Sequence, residues 1–313
     1  MAKILTGIQS TGTPHLGNIL GAIIPAIEMA NSTNDESYLF IANMHSLTQI
    51  KNEKILKENT FSTAATWLAF GLDPKKTCFY RQSDVPEVTE LAWYLSCFFP
   101  YQRLKLAHSF KDKSDNLKDV NSGLFSYPML MSADILLYDA DIVPVGKDQL
   151  QHLEMTRDVA SRFNNLMGET FIIPEAKIHD NTKLITGTNG EKMSKSKSNI
   201  IDIFVDDKTL RKQIMKIETR SLSVEDPKTP EECNVFRLYE VVASKNEVEL
   251  LKKQYLKGGI GYGEAKELLL NKILNRFSEN REKYFKLMED RSKVEDLLSR
   301  GSKKARVQAQ KVL

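Results

Sequence analysis

A chain of 313 residues, 41% hydrophobic and 27% charged, has the composition of an ordinary soluble protein with room for two domains. Its charge is nearly balanced, 44 basic against 41 acidic residues for a net +3, so any grip on nucleic acid has to come from local patches. Cys78, Cys97 and Cys233 form no C-x-x-C pair, which excludes the common zinc patterns and a disulfide framework and fits a reducing cytoplasm.

Lys3-Ile4-Leu5-Thr6-Gly7-Ile8 predicts a short buried strand that runs into a Gly/Ser/Thr turn, Gln9 to Asn18, and then an apolar helix from about Ile19 to Met29. A strand, such a turn and a helix start offer backbone N–H groups and a positive dipole end to phosphate. The turn is neither a G-x-G-x-x-G nor a P-loop, since no G-K-[ST] follows. Taken alone it serves a nucleotide site or an ordinary connection equally well. The apolar stretch Ile19 to Ala30 carries Pro25 and Glu28 and only Lys3 precedes it, so neither a signal peptide nor a membrane span is expected.

A second strand is expected over Tyr38 to Asn43, ending at Met44-His45-Ser46. A helix follows from about Glu53 to Phe70, stopped by Gly71 and Pro74, and then a third strand over Thr77 to Arg81. Strand and helix alternating in this way predict a parallel α/β sheet. Such sheets bind ligands beyond the carboxyl ends of their strands, where Gly7 to Gly12 and Asn43 to His45 fall. His45 there is either a satisfied polar residue or one that faces a ligand. A helix is expected from Val85 to Phe98, then a charged loop, Phe110 to Asp115.

Between Asp119 and Gly146 there is no Lys or Arg, and within this stretch Tyr127 to Tyr138 forms an apolar helix with one central carboxylate, Asp134. A buried carboxylate needs donors. Asp134 is therefore exposed at a helix edge, paired from a distant segment, or aimed at a ligand. Asp141 to Gly146 predicts another strand. The next helix buries a stripe of Leu150, Leu153, Thr156, Val159, Ala160, Phe163 and Met167. Asp148 stands at its start, where capping is the commoner role. Phe171 to Pro174 is expected as a further short strand.

Lys192-Met193-Ser194-Lys195-Ser196, with Lys197 behind it, places two ammonium groups three residues apart among hydroxyl donors, a set suited to a polyphosphate. The lead-in Gly187-Thr188-Asn189-Gly190-Glu191 suits a loop that bends and closes. The plainer alternative is a solvated Lys/Ser loop. Past Asn199 the chain becomes charged and helix-forming. The expected division is a sheet domain over residues 1–199, with a helical insertion at about 85–135, and an all-helical domain over 200–313 beyond a Thr219 to Pro230 linker. Arg300 to Leu313, with five Lys/Arg and no acid, is either a frayed basic tail or a contact for RNA phosphates.

Lys192 to Ser196 matches the KMSKS signature of class I aminoacyl-tRNA synthetases, and His15-Leu16-Gly17-Asn18 resembles their HIGH signature, with Asn18 last as is usual in the tryptophanyl branch. Gly7-Ile8-Gln9, Ser132 to Tyr138, and Val143 to Gln149 with His152 also favour that branch. The chain resembles the tryptophanyl-tRNA synthetase family over nearly its full length. Ser10 stands where the family usually has Pro, and Leu5 where some members place an aromatic against the indole. The resemblance implies a Rossmann-like catalytic domain, an anticodon-reading helical domain, a homodimer around the insertion, and a cytoplasmic enzyme.

The implied activity is ATP-dependent formation of tryptophanyl-adenylate and transfer to tRNA(Trp), with Mg²⁺ accompanying ATP and neither a permanent cofactor nor a resident metal. Lys192 and Lys195, helped by Lys113, would carry catalysis. ATP would be bordered by Gln9, Ser10, Thr11, His15, Gly17, Asn18, Gly146, Lys147, Asp148, Leu184, Met193, Ser194 and Ser196, beside the two loop lysines. Asp134 would accept the indole N–H, Tyr127 and Gln149 would take the ammonium group, and Met131 and His45 would wall the ring, with Gly7 and Gln9 alongside. A tyrosyl synthetase is the close rival. A nucleotidyltransferase sharing the sheet and a non-catalytic RNA-binding paralogue are the distant ones.

Overall fold

Tyr38-Leu39-Phe40-Ile41 is a nearly unbroken apolar run, the pattern of a strand covered on both faces by crossover helices, and all four residues are buried. In the computed structural model, which describes residues 2–107, 120–146, 149–178 and 185–313, this run lies inside a five-stranded parallel sheet. The strands β1 (Lys3–Ile8), β2 (Glu36–Ile41), β3 (Thr77–Arg81), β4 (Ile142–Val145) and β5 (Glu175–Ile178) take the order β3-β2-β1-β4-β5. Register is long where the apolar runs are long: β1 pairs with β2 from Lys3↔Glu36 to Ile8↔Ile41. The order reverses beside β1, which puts the topological switch at the residues following Ile8.

The connections are helices: α1 (Leu16–Asn18) leading through a π-helical turn, Ile19–Ile23, into α2 (Ile24–Ser32); α3 (Asn43–Ser46); α4 (Glu53–Ala69); α5 (Glu87–Phe98); α6 (Tyr101–Leu104); α7 (Ser122–Leu136); and α8 (Leu150–Met167). Helix α7 starts five residues before the apolar run because the Asn121 side chain accepts the Leu124 N–H at 3.1 Å and caps it there. The core joins sheet and helices through stacked rings, Tyr38 on Tyr138 at 5.1 Å and Phe40 on Tyr80 at 5.6 Å. Phe171 to Pro174 is not the last strand. Asn164 accepts from the Thr170 and Phe171 N–H groups and donates to the Phe171 carbonyl, and Arg157 donates to the Pro174 carbonyl, so both ends of this segment are bonded by side chains and pairing begins at Glu175.

Contacts divide the chain into two units with boundaries other than 199/200. The first comprises Met1–Gly12, Ala26–Asp180 and Asp290–Leu313; the second comprises Thr13–Pro25 and Asn181–Glu289. In the second, helices α9 (Asp207–Met215), α10 (Asn234–Val242), α11 (Lys245–Lys257), α12 (Tyr262–Arg276) and α13 (Ser278–Glu289) pack around Leu210, Val235, Leu238, Leu269 and Ile273. The last helix, α14 (Arg291–Val312), belongs to the first unit and lies on β3. The basic segment from Arg300 is thus part of a packed helix and not a frayed tail. Val294, Leu298, Gly301, Ala305 and Ala309 form its buried stripe, and Arg306 pairs with Glu87 at 2.8 Å. Its charge pattern alone hid this, because the burying residues are small.

Candidate active site

In the first unit the carboxyl ends of β2 and β3 run directly into α3 and into a 3₁₀ turn, Gln82–Asp84. The two connections are tied together. Asn43 donates to the Ser83 hydroxyl at 2.9 Å and accepts the Ser83 N–H at 3.1 Å, while the Met44 N–H donates to Gln82 Oε1 at 3.0 Å. Helix α7 brings Asp134 to this clasp. His45 Nε2 donates to Asp134 Oδ2 at 2.8 Å, and Gln82 Nε2 reaches Oδ1 and Oδ2 at 2.8 and 2.9 Å.

Asp134 is only 2% exposed. Burial pushes its carboxyl above the ordinary range, and the bonds from His45 and Gln82 pull it back. Of the three possibilities left by the sequence, pairing from distant segments is realised. A carboxylate offers about four lone-pair directions, so these donors leave one available to a ligand N–H. With the His45 proton on Nε2, its buried Nδ1 has no partner among the described residues.

The neighbouring side chains extend the polar patch. Tyr127 hydrogen-bonds His152 Nε2, and its ring meets that of His45 edge-on at 5.9 Å. Ser132 of α7 bonds Thr156 of α8 at 2.9 Å, which locks the two helices in register. Met131 packs half-buried against the core, and Gln149, at the start of α8, donates its backbone N–H to the Gly146 carbonyl at 2.9 Å. Gly7 is required sterically: a Cβ there would lie 2.4 Å from the Phe40 ring. The Ser10 hydroxyl is turned inward, 3.2 Å from the Ser46 and 3.3 Å from the Thr60 hydroxyls, while Gln9 and Thr11 are half-buried.

In the second unit, His15 caps α1. Its Nδ1 accepts the Asn18 N–H at 3.2 Å, and Asn18 Oδ1 accepts the His15 N–H at 3.3 Å, a reciprocal box that explains both ends of the His15-to-Asn18 motif. Met193, buried in the lysine loop, presents its sulfur to the Gly17 N–H at 3.3 Å, and a Cβ on Gly17 would crowd both the His15 ring and Met193. The two sequence motifs therefore pack on each other within one unit.

Asn199 staples the loop: Oδ1 accepts the Ser194 N–H at 2.7 Å, and Nδ2 donates to Asn189 Oδ1 and to the Lys192 carbonyl. Lys192 is exposed and Lys195 half-buried, while Ser194 and Ser196 hydroxyls lie 2.8 Å apart. Burial, with a smaller effect of Lys195, holds the His15 imidazole down at about 4, so it is neutral at neutral pH. Burial also lowers Lys195 to about 8, opposed by Asp202, which leaves a charged but readily tuned ammonium.

Lys113, Lys147, Asp148 and Leu184 lie outside the described residues. Sequence reasoning missed Gln82, Asn199 and Asp202. Gln82 follows directly on a parallel strand's carboxyl end, the one signal that pointed to it. Among the described residues no group of three or more His, Cys, Asp and Glu is placed to hold a metal, and no helix is long and apolar enough to cross a membrane.

Residues 1–278 match the family model described as tRNA synthetases class I (W and Y). The chain is 46% identical over 309 residues to a tryptophan--tRNA ligase of Campylobacter jejuni (strain RM1221), covering 98% of this chain and 96% of that protein. It is 43% identical to the tryptophan--tRNA ligase of Neisseria meningitidis serogroup A, covering 99% and 95%. Among solved structures, the C. jejuni tryptophanyl-tRNA synthetase complexed with ADP and tryptophan superposes with a TM-score of 0.94 at 45% identity, over 99% of this chain and 97% of that one. By full-length similarity and by both signature motifs, the chain belongs to the class I tRNA synthetases of the tryptophan and tyrosine group, in the tryptophanyl-tRNA synthetase family.

Proposed function

We propose that the protein activates L-tryptophan with ATP and transfers it to tRNA(Trp). The observation that carries this reading is the 46% identity to a tryptophan--tRNA ligase along 98% of the chain. The C. jejuni structure with ADP and tryptophan supports the two small-molecule substrate classes. In the first step a tryptophan carboxylate oxygen attacks the α-phosphorus of ATP. The bond to the leaving pyrophosphate breaks, and tryptophanyl-adenylate forms. In the second, a ribose hydroxyl at the tRNA terminus attacks the adenylate carbonyl, AMP departs, and the hydroxyl proton passes to solvent or to the phosphate.

The first step needs alignment and stabilisation of charge moving onto pyrophosphate. Lys192 and Lys195 take that role, with Lys113 assisting, and Mg²⁺ enters as part of the nucleotide substrate. Gly17, Asn18, Met193, Ser194 and Ser196 shape the phosphate side in the second unit. His15 acts there as a neutral cap that fixes the backbone N–H groups. The strand-end segment Gln9, Ser10 and Thr11, with Gly146 and the Lys147, Asp148 and Leu184 positions, serves the nucleoside. Ser10 does so through its backbone, since its hydroxyl is bonded inward.

Asp134 accepts the indole N–H, Tyr127 and Gln149 take the ammonium group, and His45 and Met131 line the ring beside Gly7 and Gln9. The enzyme acts in the cytoplasm as a homodimer through α5 and α6, where Trp93 and Tyr101 stand 69% and 60% exposed beside Tyr94. Exchange of labelled pyrophosphate into ATP, followed by charging of tRNA(Trp), tests the reading. Exchange that depends on tryptophan and not on tyrosine is expected. Dependence on tyrosine, or no exchange with either, overturns it.

A further inference from the structure

Asp134 cannot orient itself. It sits in the middle of an apolar helix, and every donor that the described residues bring to its carboxylate comes from another element. Of these donors His45 reaches one oxygen, whereas Gln82 spans both. The Gln82 side chain is itself 1% exposed and has one permitted orientation. Its Oε1 is consumed by the Met44 N–H at 3.0 Å, so the amide NH₂ has to face the carboxylate.

The turn that carries Gln82 is held on two sides. Arg81 donates to Glu295 at 2.8 and 3.1 Å and to Asp84 at 2.9 Å, Ser302 donates to Asp84 at 3.1 Å, and Asn43 exchanges two bonds with Ser83. Helix α14 thus braces the turn from one side and α3 from the other. Such bracing is what a site needs when one hydrogen bond is to select a ligand.

We propose that Gln82 is a positioning residue for tryptophan recognition: its amide, locked by the Met44 N–H, fixes the plane of the Asp134 carboxylate and leaves one acceptor direction for the indole N–H. The inference rests on the tryptophan-activating function proposed above. Gln82 does not touch the substrate; it acts through Asp134. Its effect is therefore on selection of the side chain and not on the phosphoryl step.

Two substitutions separate this role from a merely structural one. Gln82→Glu keeps the volume and the acceptor for Met44 N–H but turns an oxygen toward Asp134 in place of the NH₂ group. Gln82→Met removes both functions. Pyrophosphate exchange is measured for wild type and both variants with tryptophan and with 3-benzothienylalanine, which has sulfur in place of the ring N–H, together with thermal unfolding. Wild-type exchange with tryptophan establishes the underlying function, and its absence sinks that reading whatever the variants do.

Given wild-type activity, Gln82→Glu is expected to raise KM for tryptophan by roughly tenfold to a hundredfold, as for loss of a bond to a charged group. Its KM for ATP should stay within about twofold of wild type, and its preference for tryptophan over the sulfur analogue should shrink by a similar factor. Gln82→Met should show the same relaxed preference, and supplies the test if the Glu variant is poorly folded. A Gln82→Glu variant with wild-type KM and preference, alongside a destabilised Gln82→Met, overturns the inference and makes Gln82 a tether for α3 only. Equal losses of kcat with tryptophan and the analogue in both variants overturn it as well.

Discussion

Lys195, proposed above to meet the phosphates, holds its charge in an environment that makes the charge costly. Its ammonium is lowered to about 8 by burial, so the charged form is present below that pH and is lost as pH rises through it. The kcat/KM for ATP is accordingly expected to fall above about pH 8, and Lys195→Arg, whose guanidinium stays charged, should move that limb upward. A limb unmoved by Lys195→Arg assigns it to another group. Lys195→Ala should lower the activation rate constant by about a hundredfold or more, with a smaller change in ATP affinity, as for removal of one preorganised donor. Single-turnover adenylate formation separates the two. Asp134→Ala should raise KM for tryptophan and relax discrimination against analogues lacking the ring N–H. It leaves His45 and Gln82 without their acceptor, so thermal unfolding has to be followed beside the kinetics.

At the scale of elements, two placements depend on a single residue each. Helix α14 lies so close to β3 that a Cβ on Gly301 would sit 1.7 Å from the Phe79 carbonyl oxygen, and the Cys78 thiol donates to the Gly301 carbonyl at 3.3 Å. Gly301→Ala has to push the helix off the strand, and a loss of about 3 kcal/mol or more is expected from overpacking against backbone. A midpoint within error of wild type in urea unfolding refutes this contact.

In the second unit, the loop before α10 is folded around Lys228. It is 2% exposed, and its ammonium donates to the carbonyls of Ser223, Val224 and Asp226 at 3.0, 3.3 and 2.9 Å. Its backbone N–H adds a bond to the Tyr255 carbonyl at 2.7 Å. Lys228→Met keeps the stem but strands three acceptors, at an expected cost of about 2–4 kcal/mol, read as earlier proteolysis or faster amide exchange in residues 219–230.

For the whole molecule, the placement of α14 changes which basic residues are free to meet RNA. Arg306 is held by Glu87 through bonds at 2.8 to 3.1 Å, so its removal would disturb the sheet unit as well as the surface charge. Arg300, Lys303 and Lys304 are exposed on the same helix. Neutralising those three should leave pyrophosphate exchange intact and weaken tRNA charging, with a reduced dependence of tRNA affinity on salt concentration. An unchanged salt slope removes this face of α14 from the tRNA contact.

The sequence by itself determined the parallel sheet, because strands such as Tyr38 to Ile41 and Thr77 to Arg81 alternate with helix-length segments, and only crossover helices join parallel neighbours. It also determined the family, because the His15-to-Asn18 and Lys192-to-Ser196 motifs each keep specified residue types at short fixed spacing. The bonds behind them were less legible: Asn199, which staples the lysine loop, and the contact of Met193 with Gly17 came only from the structure. Only the tertiary structure decided that Asp134 meets His45 and Gln82, which lie 89 and 52 residues away and carry no periodic signal. Only it decided that the charged C-terminal segment is a core-packed helix. Its burial rests on Gly301, Ala305 and Ala309, whose smallness matters only once a strand backbone lies against them.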